Sequence, residues 1–174
     1  MNKSPRATAA AAGLLALAGC ATDGAAPGIA PPSAAGDVIS ISVGPCFGFC
    51  PVYTTVISPG GTVVYTGERH TKVLGERRRE AGAEAYRALS ADLAAYRPAD
   101  GTTQRIECDA AITDTSTYTI TWRTSDGREA VATHQSRCAS GPGHKLDEVL
   151  KSVPDRLGIT AWAKQITRSG ASRG

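Results

Sequence analysis

Asp37 to Val43 alternates, with Ile39, Ile41 and Val43 on one face, which predicts a strand. Gly44-Pro-Cys-Phe-Gly-Phe-Cys-Pro51 cannot continue it, because two prolines and two glycines break the ladder. Val52 to Ser58 alternates again, Ser58-Pro-Gly-Gly61 turns, and Thr62 to Thr66 returns as the second arm of a hairpin. Glu68 to Leu74 reads as a further short strand. From Arg79 to Arg97 the period changes: Tyr86, Leu89, Leu93 and Tyr96 make one helical stripe, closed by Pro98.

The second half repeats this order. Thr115 to Arg123 carries Tyr118, Ile120 and Trp122 on one face, Thr124-Ser-Asp-Gly127 turns, and Arg128 to His134 comes back. After Gly141-Pro-Gly143, a helix carries Leu146, Val149, Leu150 and Val153, with Pro154 expected to stop or kink it. Leu157, Ile159, Trp162 and Ile166 suggest a last short helix. The expected class is α+β: an antiparallel sheet built from two hairpins plus an N-terminal strand, with two or three helices packed on one face to bury both stripes.

The chain ahead of this pattern has a different character. Lys3 and Arg6 precede an apolar run from Ala9 to Ala18, the layout of a secretory signal. That run is about half the ~20 residues a bilayer-spanning helix needs. Its end, Leu17-Ala-Gly-Cys20, resembles the bacterial lipobox. The resemblance implies cleavage before Cys20 and a diacylglycerol on its sulfur, with each buried CH₂ adding ~0.8 kcal/mol to membrane binding. Ala21, where an Asp would favour the inner membrane, points to the outer membrane facing the periplasm. Residues 21–36 are small residues, Pro and Gly, which cannot build a core. The expected organisation is a lipoprotein signal peptide at 1–19, a lipid-anchored flexible tether at 20–36 and a single domain at 37–174.

The formal charge of +3 includes Lys3 and Arg6, and without them it falls to +1, so charge gives no reason to invoke nucleic acid. Giving Cys20 to lipid leaves Cys46, Cys50, Cys108 and Cys138. In an oxidising compartment an even set reads as disulfides. Three pairings are possible, of which Cys46–Cys50 with Cys108–Cys138 is the expected one. In the chain-entropy view the longer loop would contribute ~3.7 kcal/mol and the shorter ~2.

The sharpest motif is Cys46-x-Gly48-x-Cys50-Pro51-x-Tyr53, followed by a strand, the Gly60-Gly61 turn and Tyr65-x-Gly67. With Leu89, Leu93 and Asp114, it resembles an uncharacterised bacterial envelope family known only as a domain of unknown function. The resemblance covers about residues 38–157. It implies a small α+β domain on exported proteins and no activity, and Cys108 and Cys138 fall outside its pattern. Gly48 can take positive φ in so tight a loop, and Pro51 fixes the backbone after it.

Four readings of this loop compete. The plain one is a structural disulfide knuckle. Another is a binding loop presenting Phe47, Gly48, Phe49, Pro51 and Tyr53. A redox pair is a third, although thiol oxidoreductases space their cysteines by two residues. A metal site is the fourth, although the spacing is not that of paired Cys-x-x-Cys knuckles.

Elsewhere the signals are weak. His70, His134 and His144 are scattered and read as surface or hydrogen-bonding residues. Arg77-Arg-Arg79 between Glu76 and Glu80 reads as a solvated helix start. Asp109 and Asp114 read as turn and strand-entry residues. No nucleophile elbow, phosphate loop or cofactor motif is present.

The expected function is a non-enzymatic, lipid-anchored envelope module, held to the membrane by its N-terminal lipid and binding an envelope protein or cell-wall component. The alternatives are a periplasmic thiol–disulfide redox protein using Cys46 and Cys50, and a purely structural lipoprotein. Intact mass spectrometry of the protein from native membranes should show a chain starting at acylated Cys20. An unprocessed chain starting at Met1 would overturn the export reading.

Overall fold

The computed structural model describes residues 36–167; the expected signal, Cys20 and nearly all of the tether lie outside them. Among the described residues no helix is long and apolar enough to cross a membrane. The elements are β1 Val38–Val43, β2 Val52–Ile57, β3 Thr62–Arg69, β4 Gly75–Glu80, α1 Ala83–Leu93, β5 Thr103–Ile106, β6 Ala110–Ala111, β7 Thr117–Arg123, β8 Glu129–Gln135, β9 Cys138–Ser140, α2 His144–Arg156 and α3 Thr160–Ala163. A 3₁₀ turn, Ala94–Tyr96, extends α1.

Seven strands form one sheet in the order β4-β3-β2-β1-β7-β8-β5, and β6 pairs with β9 apart from it. Every pairing in the large sheet is antiparallel except β5 on β8. The register aligns the inward side chains in rows. One row runs Val63, Ile57, Ile39, Trp122, Ala130, and the next runs Tyr65, Thr55, Ile41, Ile120, Ala132. Onto this face fall the helical stripes Tyr86, Leu89, Leu93 and Leu146, Leu150, Val153, joining the strands in one buried cluster. Each fully buried Leu, Ile or Phe-sized side chain contributes ~1.5–3 kcal/mol. The opposite face carries half-buried Ser40, Ser42, Thr54, Thr66, Thr119 and Thr133. Across this face the hydroxyls of Ser42 and Thr54 bond at 2.9 Å.

The expected class therefore stands at the level of a mixed, antiparallel-dominated sheet with three helices, but two hairpins plus one strand undercount the sheet. Arg77, Arg78 and Arg79 do not begin a helix. They lie in β4, an edge strand exposed at every position, paired to β3 from Thr62↔Glu80 to Gly67↔Gly75. With both faces in water, β4 shows neither a helical nor a strand period, and charge protects its open edge from a stray strand. The strand expected over 68–74 is instead the end of β3 followed by a turn, in which Thr71 bridges to Gln165. Pro154 does not stop α2, since the helix continues to Arg156. The proline ring falls in the last turn, where little of the ladder remains to be lost.

Gly61 is held at φ +91, and a Cβ there would lie 2.1 Å from the carbonyl carbon of Gly82. The β2–β3 turn and the entry to α1 thus touch backbone to backbone. Gly61→Ala should cost about 2–3 kcal/mol in urea unfolding. Gly60→Ala, whose added methyl meets nothing closer than 4.0 Å, should cost less than ~0.5 kcal/mol. Equal effects would contradict this reading of the turn.

Candidate functional site

One end of the sheet gathers the chemistry. β1 delivers the chain to the Cys46–Cys50 loop, and Pro51 leads it into β2. The same end receives the turn after β3, the 112–116 segment before β7 and the Ser136–Arg137 segment after β8. Gly44 N–H donates to Thr117 O at 2.9 Å and Phe47 N–H to Asp114 O at 3.2 Å, so the loop is tied to the start of β7. Thr115 Oγ1 donates to Ser136 O at 2.9 Å and Gln135 Nε2 to Ile112 O at 3.1 Å, which joins the neighbouring loops in turn.

Cys46 and Cys50 are disulfide-bonded, with Cα atoms 5.7 Å apart. Gly48 lies between them at φ 136, a conformation side chains rarely adopt. The staple holds Phe47 outward at 91% exposure. Phe49 is 40% exposed and stands edge-on to the His70 ring, centroids 5.2 Å apart. Pro51 is half-buried. Tyr53, grouped with the loop from its place in the motif, turns inward: its ring is buried against Tyr65, centroids 5.5 Å apart. Burial, with smaller contributions from Tyr118 and Tyr65, pushes its phenol well above the ordinary tyrosine range. Tyr53 therefore braces the base of the loop from the core side.

Among the described residues, the exposed large hydrophobics are Phe47, Phe49, Leu74, Ile112 and Ile166, and all lie at this end. Ile166 is placed there by its N–H bond to His70 O at 2.9 Å. Two clefts flank the knuckle. One of about 300 Å³ runs beside His70, Leu74 and Ile166. The other, also about 300 Å³, lies between Phe47 and the Ile112–Ser116 segment, with Arg137 on its wall. Among the described residues the non-glycines with positive φ are His70 (56), Asp114 (58) and Arg137 (62), again all here. Such backbone costs ~1–3 kcal/mol per residue and collects where a surface must be held in one shape. Neither the gathering of apolar residues nor the strained positions could be read from the sequence, because they come from five separated segments.

Cys108 and Cys138 are also bonded, with Cα atoms 5.6 Å apart. Beside them the structure places a buried polar pair. His134, expected at the surface or in a hydrogen bond, is fully buried, and Asp147 is 1% exposed. His134 Nδ1 lies 3.4 Å from Ile106 O, and Nε2 lies 3.7 Å from Asp147 Oδ1 without a hydrogen-bond partner. Asp147 Oδ1 accepts from Arg137 N–H at 2.9 Å, and Lys151 Nζ lies 2.5 Å from Oδ2. Burial is the main influence on His134 and lowers its pKa from 6.5. The signal was available: His134 shares the inward phase of Ala130 and Ala132 on β8. A ring nitrogen of His134 and the sulfurs of Cys108 and Cys138 lie within 4.8 Å of one another.

The family described as Domain of unknown function (DUF6438) matches residues 37–155. No curated protein matches the chain.

The two staples should differ in worth. Replacing Cys108 and Cys138 together by Ser should lower unfolding free energy by ~3–4 kcal/mol, and replacing Cys46 and Cys50 by ~2. Urea denaturation of the two variants measures both. A larger loss from the shorter loop would show that the knuckle, and not the long loop, secures the fold.

Proposed function

The chain belongs to the family Domain of unknown function (DUF6438), and from that premise we propose that it is a non-enzymatic binding module of the bacterial envelope, docking a protein partner through the knuckle end of its sheet. The observation that carries this reading is the gathering of the exposed large hydrophobics among the described residues, Phe47, Phe49, Leu74, Ile112 and Ile166, at one end. Exposed apolar residues scattered singly need no explanation, whereas a cluster rimmed by polar groups marks a contact surface. Glu68, Arg69, Asp114 and Arg137 supply such a rim. The Cys46–Cys50 bond removes freedom from the loop before any partner arrives, which lowers the entropy cost of binding.

The placement in the cell follows from the N-terminal segment. A signal ending in Leu17-Ala-Gly-Cys20 and a Pro- and Gly-rich tether would hold the domain at the periplasmic face of the outer membrane, within reach of envelope proteins. The redox alternative using Cys46 and Cys50 rests on the bond alone, and a bond of this kind equally serves a rigid loop.

The test is a cross-linking pull-down from native membranes with the full chain and with Phe47→Ser/Phe49→Ser. The double variant should stay folded with at most a small drop in Tm, since Phe47 faces solvent and Phe49 gives up its edge-on contact with His70, and should lose its cross-linked partners. An aromatic anchor of this kind is worth about 2 kcal/mol, roughly thirtyfold in affinity. Unchanged partners would contradict the proposal. So would binding of the isolated domain to protein-free phospholipid vesicles that disappears in the double variant, because the surface would then be a membrane contact.

A further inference from the structure

Inside the domain, away from the exposed knuckle, His134 presents a polarity problem. A neutral imidazole has one N–H and one lone pair. If Nδ1 carries the proton it faces Ile106 O at 3.4 Å, and the Nε2 lone pair then faces the Asp147 carboxylate at 3.7 Å. If Nε2 carries the proton, Nδ1 and the Ile106 carbonyl are two acceptors in contact. Neither neutral form satisfies both sides, and leaving a buried polar atom unmatched costs ~1–3 kcal/mol. A positive charge at Nε2 would resolve the conflict.

Close to this ring are two sulfurs. The ligand atoms of Cys108, His134 and Cys138 lie within 4.8 Å of one another, with Cys138 and His134 buried and Cys108 half-buried. In a tetrahedral zinc site, sulfurs sit ~2.3 Å and imidazole nitrogens ~2.0–2.1 Å from the metal, so ligand atoms already this close need only small shifts. The contact of Nδ1 with a backbone carbonyl is the arrangement that fixes the tautomer of a metal-binding histidine and directs Nε2 at the ion.

We propose that Cys108, His134 and Cys138 form a zinc site that opens when their disulfide is reduced. A dithiol of the Cys-x-x-Cys type reduces the bond: the Cys108–Cys138 S–S breaks, two thiols form, and the donor leaves as its own disulfide. Zinc then displaces one proton from each thiol, giving two Zn–S bonds and releasing two protons. Nε2 of His134 is the third ligand and water fills the fourth position. Zn²⁺ with two thiolates is neutral, which suits a buried place. Nδ1–H facing the Ile106 carbonyl orients the ring, and Asp147, paired with Lys151, is placed to accept from the bound water. Cys108 is the less buried of the two cysteines, which gives the reductant its side of approach. The same position is thus a covalent staple when oxidised and a metal staple when reduced.

The test uses the full chain purified from membranes, carrying Cys46→Ser and Cys50→Ser so that the knuckle contributes no thiols. After reduction and incubation with zinc, the chain should retain one zinc through desalting. Cobalt in place of zinc should give an intense sulfur-to-metal charge-transfer band. The unreduced chain should retain none. His134→Gln, checked for folding by circular dichroism in the oxidised state, should bind zinc at least about tenfold more weakly. The proposal is overturned if the folded, reduced chain retains no zinc, or if His134→Gln binds as tightly. It is equally overturned if the reduced chain unfolds and zinc does not restore its spectrum.

Discussion

Strand β1 joins two halves that have no other connection within the large sheet. It pairs with β2 along one edge from Ile39↔Ile57 to Val43↔Tyr53, and with β7 along the other from Val38↔Arg123 to Val43↔Tyr118. Ile39 and Ile41 sit at the middle of the two rows of inward side chains that the helices cover. Because side chains alternate, a slip of one residue would carry Ile39, Ile41 and Val43 to the hydroxyl-lined face and bring Ser40 and Ser42 into the core. The register of one half of the large sheet against the other is therefore fixed by six residues. The knuckle inherits its position from them, because β1 ends at Val43 and Gly44 is immediately fastened to Thr117.

On that rigid frame the end loops can hold shapes that cost energy. Phe47 forgoes the ~1.5–3 kcal/mol that burial would bring, and three non-glycine residues sit at positive φ around it. A domain with net stability of only ~5–15 kcal/mol carries such costs where the surface has a task. The disulfide helps by lowering the entropy of the unfolded chain, and Tyr53 helps by filling the space beneath the loop. The second staple lies beside a buried His–Asp pair, so the two bridges differ in surroundings: one shapes a surface, the other abuts a polar site in the interior.

Much of the fold was legible in the sequence wherever one face of an element is buried. Ile39-x-Ile41-x-Val43, Tyr118-x-Ile120-x-Trp122 and the Tyr86, Leu89, Leu93 stripe declare their period because water is excluded from one side only. β4 was illegible for the opposite reason. Gly75–Glu80 is wet on both faces, and its strand state is imposed by the unpaired edge of β3, a tertiary demand that outweighs the helical preference of Glu and Arg. β5 and the β6–β9 pair are short and mostly exposed, so they left little pattern either. The Cys46–Cys50 loop stood out by composition, but its neighbours Leu74, Ile112 and Ile166 come from distant segments. His134 was masked by treating histidine as polar; strand phase was the better guide.

The role of β1 is tested most directly by native-state amide hydrogen exchange at residue resolution. The account predicts that the amides of Ile39 to Ser42 exchange only through global unfolding, with free energies equal to the full stability and above those of β4 and β5. Exchange of β1 at a lower free energy than α2 or β3 would contradict it, because the two halves would then separate without the domain unfolding.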